Sequence, residues 1–248
     1  MPRLLSVFAA GCVLWATLAS PAHAVIGRDR IAALRAGDGV LVFTMETGRE
    51  VVPAHLYLPH ADQAMDRLQG WIGREVTVSP QGADRYGRSL AILTSVGEKR
   101  SFQEQLLEAG DALVYSPTGF RQSAAFMAAE GRARAAQRGI WKTHAVRDLW
   151  LDLRPEDLGA QHDQHFAQVA GHATHVYPAR DAYYINFGDD WKTDFSIRIP
   201  RKAWRAFGDR LAVHAGDAVQ ARGVIIQENG PMIVVNRPEQ VEIRHAQP

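Results

Sequence analysis

The chain has 248 residues, 28 Lys and Arg against 27 Asp and Glu, and a single cysteine. Removing an N-terminal leader that contains Arg3 leaves 27 cations against 27 anions, and dividing the rest after Gly159 gives 17 against 17 and then 10 against 10. That excludes the broad positive field that dominates non-specific nucleic-acid affinity, though not a local basic patch.

The first segment reads as a leader. Arg3 supplies a positive charge, Leu4 to Leu18 is apolar and uncharged, and Ala22-His23-Ala24 is a small-x-small cleavage site. The apolar run falls short of the roughly 20 residues a membrane-crossing helix needs. Residues 1–24 are therefore expected to be a signal peptide for the periplasm or the exterior. A lipoprotein alternative would need Cys12 as the first mature residue, but Ala9-Ala10-Gly11 lacks the usual leucine. Cleavage near Ala24 removes Cys12, so the mature chain has no disulfide, thiolate ligand or cysteine nucleophile.

The remainder is long enough for two ordinary domains. In the first, expected at 25–150, Val40 to Thr44 and Glu50 to Leu58 alternate as strands around a Glu46-Thr47-Gly48 turn, and Ala61 to Trp71 reads as a helix. Glu75 to Val78 and Leu90 to Leu93 flank a second turn, Asp84-Arg85-Tyr86-Gly87-Arg88. An acid-rich helix follows over Phe102 to Ala109, ending in Gly110, then a strand containing Tyr115. The next helical run, Arg121 to Arg138, carries an apolar stripe with Arg132, Arg134 and Arg138 off it, which reads as a solvated face. Gly139-Ile140-Trp141 closes the region.

That order of motifs resembles the second half of a thermonuclease, or staphylococcal-nuclease-like, domain. The resemblance implies a five-stranded OB-type barrel in which the arginine ending the turn binds the phosphate in the phosphodiester transition state, a position Arg88 matches. It also implies a ligand-binding groove near Asp84, Tyr86 and Tyr115, and calcium as cofactor. The other half of the family pattern is incomplete. Ala36-Gly37-Asp38-Gly39 stands where Asp-Gly-Asp-Thr is expected, so Asp38 matches one calcium aspartate. Two registers fit the next strand. Anchored on Pro59, Val52 stands at the family's other arginine, Tyr57 at the second calcium aspartate and His60 at the general base; anchored on Thr47-Gly48, those positions are Ala54, Pro59 and Asp62.

Both registers lose the arginine and a calcium carboxylate. A guanidinium compensates the charge building on phosphorus through fixed bidentate hydrogen bonds that valine or alanine cannot make. Calcium needs about six or more oxygen ligands, which Asp38 without a second carboxylate does not supply. The alternative role for Arg88 is a turn residue pairing Asp84.

Residues 151–164, polar and carrying Pro155 and Gly159, read as a linker. The second domain, expected at 165–248, has strands at Phe166 to Val176, Tyr183 to Phe187 and Asp194 to Ile199, a helix at Arg201 to Phe207, and strands on either side of Asn229-Gly230 and at Val241 to Ile243. Three strands, a helix and two strands is OB-fold connectivity, and the closing run from Asn229 to Val241 resembles the final hairpin of bacterial nucleic-acid-binding OB domains. Period two puts Tyr183, Ile185 and Phe187 on one face and Tyr184 and Asn186 on the other, so Phe187 and Phe195 are expected in the core and Tyr184 and Trp191 at a binding surface. Asp189-Asp190 beside Trp191 would repel phosphate, or serves only as a polar turn. His162, His165, His172 and His175 invite a zinc or copper site, but His172 and His175 lie three apart on a strand and face opposite sides, and His162 and His165 fall in the linker, so the default reading is surface histidines.

The expected fold is mainly β with some helix: two OB-fold-type five-stranded barrels in tandem, the first of thermonuclease type, with no membrane span. The expected function is an exported thermonuclease-like protein with an incomplete catalytic site that binds single-stranded nucleic acid or another phosphate-bearing ligand. The alternatives are a metal-dependent phosphodiesterase using Arg88, Asp38 and a base from His60 or Asp62, and an envelope adaptor that binds a protein partner.

Overall fold

The computed structural model describes residues 27–37, 40–60, 64–116, 121, 123–142, 146, 149–208 and 212–246. The expectations for the leader, Cys12, Asp38 and Asp62 lie outside these residues. Among the described residues no helix is long and apolar enough to cross a membrane.

The first barrel closes through strands β1 (Gly27–Gly37), β2 (Val40–Met45), β3 (Glu50–Pro53), β6 (Ser89–Ser95) and β5 (Glu75–Ala83), in that order of hydrogen-bonded neighbours. β3 and β6 run parallel and the other pairs antiparallel. Alternation along β3 turns Val51 and Pro53 inward and leaves Glu50 and Val52 half-buried. The strand expected to run to Leu58 stops at Pro53. His55 adopts a left-handed backbone with φ 66°, which no strand accommodates, and beyond it the short β4 (Leu56–Tyr57) pairs with β7 (Leu113–Val114) instead. The helix expected over Ala61 to Trp71 is confined, among the described residues, to α1 (Met65–Gln69).

Helix α2 (Phe102–Ala109) begins with a capping box between Ser101 and Glu104 and ends at Gly110 in the left-handed conformation, φ 78°. A β-carbon on Gly110 would lie 2.3 Å from the Arg138 carbonyl oxygen. That approach lets the Ile140 N–H donate to the Gly110 carbonyl at 2.8 Å and brings the Gly-Ile-Trp segment back onto α2. Phe102 packs edge-on against Phe43 and Trp71, at 5.1 and 4.8 Å, to fill the barrel. Beside it the buried Gln103 donates to the Ala91 carbonyl at 2.8 Å and accepts from the Leu93 N–H at 3.2 Å, satisfying β6 backbone groups.

The second sheet contains seven strands. β8 (Phe166–His172) and β9 (His175–Pro178) are the halves of the expected first strand, broken at Ala173-Thr174. β8 pairs with β12 (Ala218–Gln227) while β9 pairs with β10 (Ala182–Asn186). The path continues through β11 (Ser196–Pro200) and β13 (Pro231–Val234) back to β12, with β14 (Val241–Arg244) on its edge. Here too one pair, β11 with β13, is parallel. Helix α4 (Trp204–Phe207) follows β11, and Asn229 and Gly230 hold φ of 53° and 90° in the hairpin turn before β13. Phe195 is buried and Phe187 is packed against the same core, their rings 5.1 Å apart.

The two sheets meet across an apolar seam. Phe166 stacks on Tyr57 at 4.6 Å and meets Tyr115 edge-on at 5.2 Å, with Leu113, Ala133, Ile140, Trp141 and Leu151 buried around them. Residues 151–164 lie against the second sheet: Leu153 bridges to Val169, and the rings of His162 and His165 meet Trp150 edge-on, so His162, expected at the surface, is buried by that packing. Helix α3 (Ser123–Ala135) departs from its expected solvated face. Arg132 reaches outward to Glu108 at 3.1 Å, but Arg134 turns into the seam, 4.5 Å above the Trp141 ring and 2.9 Å from Gln168 Oε1. Arg134 is retained there because Gln168, Gln220 and Glu130 offer it acceptors that water would otherwise supply.

Candidate functional site

The turn joining β5 to β6 is held by its own first residue. Asp84 accepts the backbone N–H groups of Tyr86 and Arg88 on Oδ1, each at 2.9 Å, and Arg88 Nε on Oδ2 at 2.6 Å. Gly87 takes the left-handed backbone the turn requires, φ 78°. Partial burial pushes the Asp84 carboxyl up, but the hydrogen bonds from Arg88 and Tyr86 outweigh it and hold the group below its ordinary value. Arg88 is only 16% exposed and lies 5.0 Å from the ring of Tyr86, which is itself 70% exposed. The guanidinium is committed to its own turn, so an incoming phosphate must compete with a carboxylate already in place.

The segment from Glu50 to His60 contains no lysine or arginine. Val52, at one candidate arginine position, pairs with Leu90 across the parallel β3–β6 ladder, and Ala54, at the other, is buried with its N–H donated to Ala91. Tyr57 stands at a calcium position in one register, but its phenol is pushed up in pKa by burial against Phe166 and stays neutral. Both oxygens of Asp84 are already engaged. These residues do not fit a calcium ligand set, which needs anionic or carbonyl oxygens converging on one point. His60 lies half-buried in the turn after Leu58.

One histidine the sequence reading passed over is His55. Its left-handed backbone aims Nδ1 at Ser116 Oγ, 2.8 Å away, and burial pushes its pKa below the ordinary imidazole value despite a hydrogen bond from the ring to the Gln81 side chain. No periodic pattern marks such a residue, because its position depends on the break in β3.

A family model described as staphylococcal nuclease homologue matches residues 41–143. This stretch is a staphylococcal nuclease-like domain. No curated protein matches the chain. The nuclease-like barrel thus contributes Asp84, Tyr86 and Arg88 from one turn, whereas Tyr115, expected in the same groove, is turned toward Phe166 and buried enough to push its phenol pKa up.

The second sheet brings Tyr184 and Trp191 to the rim of a concave surface of about 470 Å³. Period two selects its outer face: Tyr184 pairs with Tyr177 on one side and Arg198 on the other. Tyr177 is 63% and Trp191 56% exposed, and Asp181 and Glu228 are the carboxylates of the lining. Arg198 is drawn away from solvent, donating to the Tyr184 hydroxyl at 3.2 Å and to Asp181 at 3.1 Å. Asp190 and Asp194 are consumed by the loop itself: Asp194 accepts the Asp190 N–H at 2.8 Å and Asp190 accepts the Lys192 N–H at 3.0 Å.

Proposed function

We propose that this protein is an exported nuclease-like scaffold that binds rather than hydrolyses. The observation carrying this reading is the pairing of Arg88 with Asp84 at 2.6 Å, next to β3, whose segment from Glu50 to His60 carries no lysine or arginine. Phosphodiester hydrolysis needs transition-state charge compensated by preorganised donors, and loss of one such group costs on the order of 10²- to 10³-fold in rate. A guanidinium already paired with a carboxylate offers little of that. Export rests on the leader sequence through Ala24, and the working units are residues 25–150 and 165–248, joined by 151–164.

The ligand we assign to the scaffold is single-stranded nucleic acid or another phosphate-bearing chain, held by exposed Tyr86 with Arg85 and Arg88 beside its ring and by the outer face carrying Tyr184 and Trp191. A second reading, an adaptor for a protein partner, is favoured by the carboxylates Asp181 and Glu228 in that outer concavity, which repel phosphate. Fluorescence anisotropy with a labelled oligothymidylate tests both. Binding that falls steeply with salt and is lost in Arg88→Ala or Trp191→Ala supports the first; absence of binding at low salt turns the reading to the adaptor.

A further inference from the structure

At the edge of the second sheet three side chains converge that neither reading uses. His214 and Asp217 lie in the turn before β12, and His245 follows β14. Asp217 Oδ2 lies 3.0 Å from His245 Nδ1 and 3.7 Å from His214 Nδ1, and the ligand atoms of all three residues fall within 4.8 Å of one another. We propose that these three residues form a binding site for a late first-row divalent cation, zinc foremost, through His214 Nδ1, His245 Nδ1 and Asp217 Oδ2.

The geometry carries this beyond a surface ion pair. Tetrahedral zinc with ligands at about 2.0–2.1 Å sets its ligand atoms roughly 3.3 Å apart, and the two His–Asp separations fall on either side of that figure. The carboxylate is oriented in advance. Its side chain is 3% exposed, Oδ1 accepts the Ala246 N–H at 2.9 Å, and Oδ2 accepts the His214 N–H at 2.8 Å while keeping one lone pair for an ion. Both imidazoles are largely open, 75% and 60% exposed, so an ion can enter and keep water in the fourth position. The neighbouring His172 directs Nδ1 to the Gly216 carbonyl at 3.1 Å and is left out of the set. Two nitrogens and one carboxylate select zinc, nickel or copper over calcium or magnesium. A bound ion would tie the chain's last described segment to the turn before β12.

Calorimetry of the full chain without an affinity tag, titrated with zinc chloride, tests the site. The expected result is one equivalent of zinc bound, with affinity reduced roughly tenfold or more in His214→Ala and in His245→Ala, and unchanged in His175→Ala. Both ligand imidazoles are exposed, so these variants leave the core intact, and proton NMR should show the His214 and His245 rings shifting with zinc while His175 does not. Absence of stoichiometric binding, or binding preserved in the His214→Ala/His245→Ala double variant, overturns the proposal.

Discussion

Arg222 of β12 donates Nη1 to both carboxylate oxygens of Glu130 on α3, at 2.6 and 2.8 Å, with 8% and 2% of the two side chains exposed. Glu130 also accepts the Val114 N–H at 2.7 Å and lies 3.6 Å from Arg134, so one buried carboxylate ties together the second sheet, α3 and β7.

Removing one partner of such a pair leaves a buried charge short of compensation, which costs about 3–5 kcal/mol. Arg222→Met should therefore destabilise the protein by about that much in chemical denaturation. Adding Glu130→Gln should restore part of the loss, because glutamine removes the charge and still accepts from Val114. A loss under about 1 kcal/mol for Arg222→Met would mean that Arg134 and water compensate Glu130 without Arg222.

Asp84 restrains Arg88 through Oδ2 while Oδ1 maintains the turn. Asp84→Asn keeps an oxygen for the turn N–H groups and replaces the anionic acceptor facing Arg88 with a donor. Oligonucleotide affinity should rise and its salt dependence steepen, because Arg88 no longer divides its charge between the phosphate and Asp84. An unchanged slope would mean that Arg88 makes no phosphate contact even when freed.

His55 supplies a pH dependence whose sign is opposite to that of a salt-bridged histidine. Its pKa is lowered by burial, so the unfolded chain, with an imidazole near 6.5, takes up protons before the folded one does. Its contribution is neutral above that value and costs stability as pH falls below about 6.5 toward the folded pKa. His55→Asn retains a residue that tolerates φ near 66° and removes the titration. The variant should lose less stability than wild type between pH 7.5 and 5.5 by thermal melting; equal losses would place the effect elsewhere.

What the sequence disclosed was local. The Asp84–Arg88 turn, the Ser101 and Glu104 cap with Gly110, and the outward placement of Tyr184 each depend on residues within a few positions of one another. What it concealed depends on contacts across the fold. Glu130 sits on the same helical stripe as Phe126, Ala129 and Ala133, but nothing nearby announces Arg222 as its partner. Phe166 reads as an ordinary strand residue until Tyr57 and Tyr115 close on it, and Arg134 reads as surface until the second sheet covers it. The break between β8 and β9 arises from their pairing with different strands, β12 and β10, which alternation along one segment cannot reveal.

A turnover assay is the most direct test of the proposal that the nuclease-like barrel has lost hydrolysis. Purified mature protein with calcium, and separately with magnesium, manganese or zinc, is incubated with single-stranded DNA and RNA beside a preparation from empty vector and an Arg88→Ala variant. No cleavage above the vector control is expected under any of these conditions, and no difference between wild type and Arg88→Ala. Metal-dependent cleavage by the wild type that disappears in Arg88→Ala would contradict it and establish a working phosphodiesterase.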